Sequence, residues 1–172
     1  MIKFWKKRIQ NKLLTEHLTH DKTLSEIQKE LKNSIAKQFA SSLNIRMVDS
    51  GSCNACESEC NALSNPYYNL ERLGIQFVAS PRHADVLLVS GVNTFNMHPH
   101  LLDAYAQMPS PKYVITIGDC PLTATSVYDE SFAIVGNIAK HLPVAHHITG
   151  CPPSPNEIIV GLLEFLRGLD RS

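Results

Sequence analysis

Three of the chain's five cysteines fall within ten residues, Gly51-Ser52-Cys53-Asn54-Ala55-Cys56-Glu57-Ser58-Glu59-Cys60, directly after an apolar, strand-like segment. Two thiolates separated by two residues can turn toward one metal centre across a tight turn, and soft sulfur donors suit zinc or iron-sulfur clusters. Either normally takes four donors. The remaining cysteines stand alone, but each opens a loop in the same way: Gly118-Asp119-Cys120-Pro121 and Gly150-Cys151-Pro152-Pro153. The chain therefore offers four similar positions and one extra thiol.

The segments around these loops alternate between two periodicities. Apolar residues recur at helical spacing from Phe4 to about His20 and from Thr23 to Leu43 (Leu24, Ile27, Leu31, Ile35, Phe39), with Thr23 and Glu26 matching a capping box. Asn44 to Val48 reads as a first strand, delivered by Gly51 into the cysteine loop. A helix is expected from Glu57 to Leu73, interrupted at Asn65-Pro66 because proline disfavours helical geometry in the residue before it. Ile75 to Ala79 reads as a short edge strand. The continuous apolar run of Asp85 to Ser90 is of the kind buried on both faces of a parallel sheet. His98 to Met108 is helical, Tyr113 to Ile117 is a further buried strand, Val127 to His141 is mixed and partly helical, Pro143 to Ile148 is the last strand, and Asn156 to Leu169 is a terminal helix.

Strands alternating with helices predict an α/β fold, a flavodoxin-like doubly wound parallel sheet, in which ligands collect beyond the carboxyl ends of the strands. Cys53, Cys56, Cys120 and Cys151 each follow a strand onto that one edge. We divide the chain into a basic helical N-terminal extension, residues 1–43, and a cluster-binding domain, residues 44–172.

Charge follows the same division. The sequence is neutral overall, but residues 1 to 46 hold ten Lys/Arg against four Asp/Glu, whereas the rest hold six against twelve. A basic arm on an acidic body suits docking to an anionic surface or subunit, with Phe4 and Trp5 as anchors; a solvated helix face is the plainer alternative. Neither a secretory signal nor an apolar run long enough to span a membrane is found, so a reducing compartment is expected. There, a cysteine cluster reads as metal or redox chemistry before disulfides. No Gly-rich phosphate loop or GxSxG elbow is present.

Structural zinc sites usually draw on two closely spaced ligand pairs, and only one pair exists here. Single ligands from distant strand ends favour an iron-sulfur cluster embedded in a domain, with zinc and unligated buried cysteines as alternatives. Cys60 reads as a small buried side chain. Arg82-His83 could orient groups around the cluster, though such a pair at a strand entrance also has a structural reading, and His141, His146 and His147 form a loose group best explained by alternate exposure along a strand.

Gly51-Ser52-Cys53-Asn54-Ala55-Cys56, Tyr67 to Gly74, Ala79-Ser80-Pro81-Arg82-His83-Ala84-Asp85, Gly118-Asp119-Cys120 and Gly150-Cys151-Pro152-Pro153-Ser154-Pro155 follow one family in order. Over about residues 45 to 168 the sequence resembles the small subunit of membrane-bound, energy-converting [NiFe]-hydrogenases of the formate hydrogenlyase type, homologous to the 20 kDa subunit of respiratory complex I. The resemblance implies that Cys53, Cys56, Cys120 and Cys151 hold a proximal [4Fe-4S] cluster passing electrons to or from a large subunit. It implies as partners a hydrogenase-type large subunit, a ferredoxin-like Fe-S subunit and integral membrane subunits, with no nucleic acid, and a peripheral position on the cytoplasmic face of the inner membrane. The CxxC spacing is the hydrogenase-type arrangement; a quinone-reducing complex I-type subunit and a zinc-stabilised scaffold are the alternatives. Glu59 coincides with an acidic family position near the proton-transfer interface and is the candidate catalytic residue, its plainer reading being a solvated carboxylate. The family's glycine-rich run after the third cysteine is replaced here by Pro121-Leu122-Thr123-Ala124-Thr125.

Overall fold

The computed structural model describes residues 22–40, 42–123 and 131–170. The helix expected from Phe4 to His20, and with it the Phe4-Trp5 anchor, lies outside the described residues.

Helix α1 spans Lys22–Gln38. It starts one residue ahead of Thr23, so Thr23 sits inside the helix rather than capping it. It stops short of Leu43 because Ala40 turns into the left-handed region at φ 49°. Strand β1, Leu43–Asp49, follows, entering the sheet as the Leu43 amide donates to the Gly74 carbonyl at 2.8 Å. Helix α2, Ala55–Ala62, is shorter than the helix expected across this region. Asn65 explains why: its carboxamide oxygen accepts the amides of Tyr67 and Tyr68 at 2.8 and 3.0 Å, taking donors that a continuing helix would need. Only a 3-10 turn, Leu70–Leu73, precedes strand β2, Ile75–Phe77.

Strand β3, Val86–Ser90, is buried at every position, as its uninterrupted apolar run predicts. Helix α3, His98–Gln107, and strand β4, Tyr113–Ile117, stand where periodicity places them. In the described part of the mixed region the only helical piece is a 3-10 turn, Ile138–Lys140. Strand β5 is Val144–Ile148, and helix α4, Pro155–Leu169, opens with a capping box between Ser154 and Glu157.

All strand pairings are parallel, in the order β2-β1-β3-β4-β5. This is the flavodoxin-like doubly wound order, and β2 is an edge strand as expected. Alternate residues of the central strands feed two cores. Val86 and Leu88 join Ile45, Ile115 and Ile117 under α1, α2 and α4, while Leu87 and Val89 join Val114 and Leu101 under α3. Leu31 and Ile35 of α1 are fully buried in the first core, and buried Gln28 bridges the Tyr68 carbonyl and the Arg72 guanidinium. The helix preceding β1 thus packs into the same layer as α4. No described helix is long and apolar enough to cross a membrane.

Candidate metal centre

The four cysteines are carried by three loops that leave the carboxyl edge of the sheet. After β1, Asp49 Oδ1 accepts the amides of Gly51 and Ser52, both at 2.7 Å, and bends the chain at once. Asn54 then adopts a left-handed conformation at φ 68°, which asparagine tolerates better than most residues, and α2 begins at the next residue. Cys53 therefore lies in the turn and Cys56 in the first helical turn, where free amide donors favour negative charge.

After β4 and β5 the chain ties its two single-cysteine loops together. The Gly118 amide donates to Ile148, the Asp119 amide to Gly150, and the Gly150 amide to Asp119 Oδ1, at 2.9, 3.0 and 2.8 Å. Cys120 and Cys151 are thereby held side by side. Strand β3 contributes no cysteine but supplies a wall. A Cβ on Gly91 would lie 2.6 Å from the Gly51 carbonyl carbon, so these two loops meet backbone to backbone, and the Val92 and Thr94 amides donate to Gly51 and Ser50. The loops border a cavity of about 410 Å³ lined by Cys53, Cys56 and Cys120 together with Val92, Thr94 and Ile134. Cys151 is exposed beside it.

The thiols feel one another. Cys56 is pushed up to about 12, first by burial, then by the Glu57 carboxylate, then by Cys120, Cys53 and Cys151. Cys120 is raised by burial and by Cys151 and Cys53. Even so, among the described residues no three His, Cys, Asp or Glu side chains converge tightly enough for a single metal ion. A zinc ion would need its sulfurs about 2.3 Å from one point. Gly118 shows how closely Cys56 is packed: at φ 80° it has no side chain, and a Cβ there would lie 2.6 Å from Cys56 Sγ. Soft thiol donors from three loops, with a glycine cleared beside one sulfur, are the donor chemistry that a polynuclear iron-sulfur group takes.

The fifth thiol is separate. Cys60 is 2% exposed in the core under α2 and is pushed up to about 12 by burial, then by Cys56, Glu57 and Glu59. Glu59 is not among the charges acting on Cys56. The carboxylate that does is Glu57, whose Oε1 is in short contact with the fully buried Ser90 hydroxyl. Sequence reasoning passed over Glu57; the available signal was Ser90, a lone hydroxyl closing an otherwise apolar strand.

The other candidates lie apart. Arg82 and His83 are exposed in a 3-10 turn, Pro81–His83, at the amino end of β3, away from the cysteine edge. His146 Nε2 is 3.9 Å from Glu164, His147 Nδ1 pairs with Thr116 Oγ1 at 2.9 Å, and His141 packs against His98. The three do not converge, but they do not alternate along a strand either: His141 follows the 3-10 turn before β5, and His146 and His147 are neighbours in β5 that are both partly buried.

The profile of the family described as NADH ubiquinone oxidoreductase, 20 Kd subunit, matches residues 53–165, from the first cysteine into α4. The chain belongs to this family. A probable membrane-bound hydrogenase subunit, mbhJ, of Pyrococcus furiosus is 43% identical over 71% of the chain and 72% of its own length. Formate hydrogenlyase subunit 7 of Escherichia coli is 37% identical over 87% of the chain, which spans 58% of that longer protein. A solved archaeal respiratory membrane complex, the membrane-bound sulfane sulfur reductase, contains a chain that is 29% identical with a TM-score of 0.68, covering 84% of this chain and 77% of its own. A chain of an NAD+-reducing [NiFe]-hydrogenase, 16% identical at a TM-score of 0.57, covers 74% of this chain and 92% of its own and shares the fold. Relatives of the 20 kDa subunit family are thus oxidoreductase subunits, and the match begins at the first candidate ligand.

Proposed function

We propose that this chain is the electron-transfer subunit of a membrane-associated hydrogenase or hydrogenase-related oxidoreductase, with Cys53, Cys56, Cys120 and Cys151 holding a [4Fe-4S] cluster. The observation that carries the reading is that Cys53, Cys56 and Cys120 line one cavity and Cys151 is close enough to act on two of them. Such a cluster, when bound, supplies one-electron chemistry. The chain's own residues supply the rest: the Asp119–Gly150 clasp orients two ligands, the Asp49 turn orients the other two, and Val92 and Ile134 keep water from one side.

Partners are proposed on the same footing: a hydrogenase-type large subunit, a ferredoxin-like subunit and membrane subunits, with the assembly peripheral on the cytoplasmic face of the membrane. Phe95 and Phe132, 61% and 95% exposed, flank the Thr94–Ile134 bridge at the rim of the cysteine cavity. Two exposed aromatics beside a redox site suit a surface that another subunit covers. Anaerobically purified protein should be brown, with visible absorbance that bleaches on reduction. A colourless chain containing one equivalent of zinc would instead establish the scaffold reading.

Glu59 is proposed as a proton-handling residue of the assembled complex, on the family position it occupies. Glu59→Gln should keep a full, reducible cluster and lower turnover by at least about tenfold, ~1.4 kcal/mol on the barrier. Turnover equal to the parent's between pH 6 and 8 would reduce Glu59 to a surface carboxylate.

A further inference from the structure

We infer that Glu57, held inward by Ser90, is a positioning residue that sets the reduction potential of the four-cysteine centre. The inference rests on the cluster reading above and adds to it a residue that the ligand set does not contain.

Ser90 is the last residue of β3 and fully buried, so its hydroxyl requires a partner. Its own backbone is fixed from the neighbouring strand, because the Ser50 amide and hydroxyl both donate to the Ser90 carbonyl, at 2.9 and 2.5 Å. Its Oγ lies 3.5 Å from the Val48 carbonyl and in short contact with Glu57 Oε1. Glu57 belongs to the first turn of α2, where a carboxylate could as easily face water. The serine instead draws it against the end of the sheet, and its second oxygen, Oε2, is buried with no hydrogen-bond partner. Among the described residues no Lys or Arg forms an ion pair with it.

A buried carboxylate without a counter-ion is poorly screened, and Glu57 directly follows the proposed ligand Cys56 in the first turn of α2. Adding one electron to a group held by Cys56 increases negative charge next to the residue that carries this carboxylate. The reduced state is disfavoured relative to the oxidised one, so the potential is lowered.

The test is an equilibrium redox titration of the anaerobically purified full chain, in which a chemical reductant supplies the electron and visible absorbance and the electron paramagnetic resonance signal report the cluster. Glu57→Gln keeps the shape and the bond to Ser90 but removes the charge; its midpoint should move to higher potential at parental iron content. Ser90→Ala frees the carboxylate toward water, and its midpoint should move in the same direction by less. Glu71→Gln, which removes an exposed carboxylate from the turn before β2, should titrate with the parent. A Glu57→Gln curve that overlays the parent's, or a Glu71→Gln shift as large, overturns this inference and leaves the cluster reading standing. Loss of iron in Glu57→Gln overturns it in favour of a purely structural clasp. A parent chain without any visible centre overturns both.

Discussion

Serine at Cys53, Cys56, Cys120 or Cys151 should remove most of the iron and the visible absorbance, whereas serine at Cys60 should leave both unchanged. The expectation rests on donor chemistry: a hydroxyl is a hard, weakly acidic donor where the site offers four soft thiols. Because binding of the group is coupled to folding, each of the four variants should also melt lower than the parent. Cys56 should be the most sensitive of the four, since it is packed under Gly118 and is pushed up to about 12 by burial and neighbouring charge. Burial and neighbouring negative charge both oppose its ionisation, so only a strongly cationic group compensates them. Iron analysis and absorbance on the five purified variants decide the matter. Full iron in any one of the four takes that residue out of the ligand set, and iron loss in Cys60→Ser overturns the choice of the extra cysteine.

Gly118→Ala should be almost as damaging although it touches no ligand covalently. Two effects add. At φ 80° an alanine is strained by about 1–2 kcal/mol, and its Cβ would lie 2.6 Å from Cys56 Sγ, well inside contact distance, so the sulfur must move. Gly136 separates the two effects. It has φ 110°, yet a Cβ there meets nothing within 4 Å, so Gly136→Ala carries backbone strain alone. Both variants should lose thermal stability, but only Gly118→Ala should lose most of its iron. Full iron in Gly118→Ala would mean that this glycine is kept for its backbone and not for the sulfur above it.

The two kinds of legible information in this sequence differ in how local they are. β3 could be read because four consecutive apolar residues, Val86 to Val89, have one explanation, burial on both faces, and the structure buries all four. The common edge of the four cysteines could be read because each follows a strand and all strands run parallel. The break after α2 was legible in Asn65-Pro66, but its extent was not, because Asn65 captures two backbone amides with its side chain, a competition that periodicity does not register, and only a 3-10 turn follows. The Glu57–Ser90 contact was half legible: the lone hydroxyl at the end of β3 signals that a partner is needed, but the partner lies 33 positions away and nothing local to Ser90 names it.

The clasp between the loops after β4 and β5 has a consequence for biogenesis. On the proposed reading, the ligand set is not a preformed knuckle that a nascent chain could load as it is made. Cys151 reaches Cys53 only once β1, β3, β4 and β5 are paired in order and Asp119 has engaged Gly150. Cofactor insertion then comes after the sheet has formed, and a maturation factor delivering iron and sulfide must recognise a nearly finished surface rather than an extended peptide.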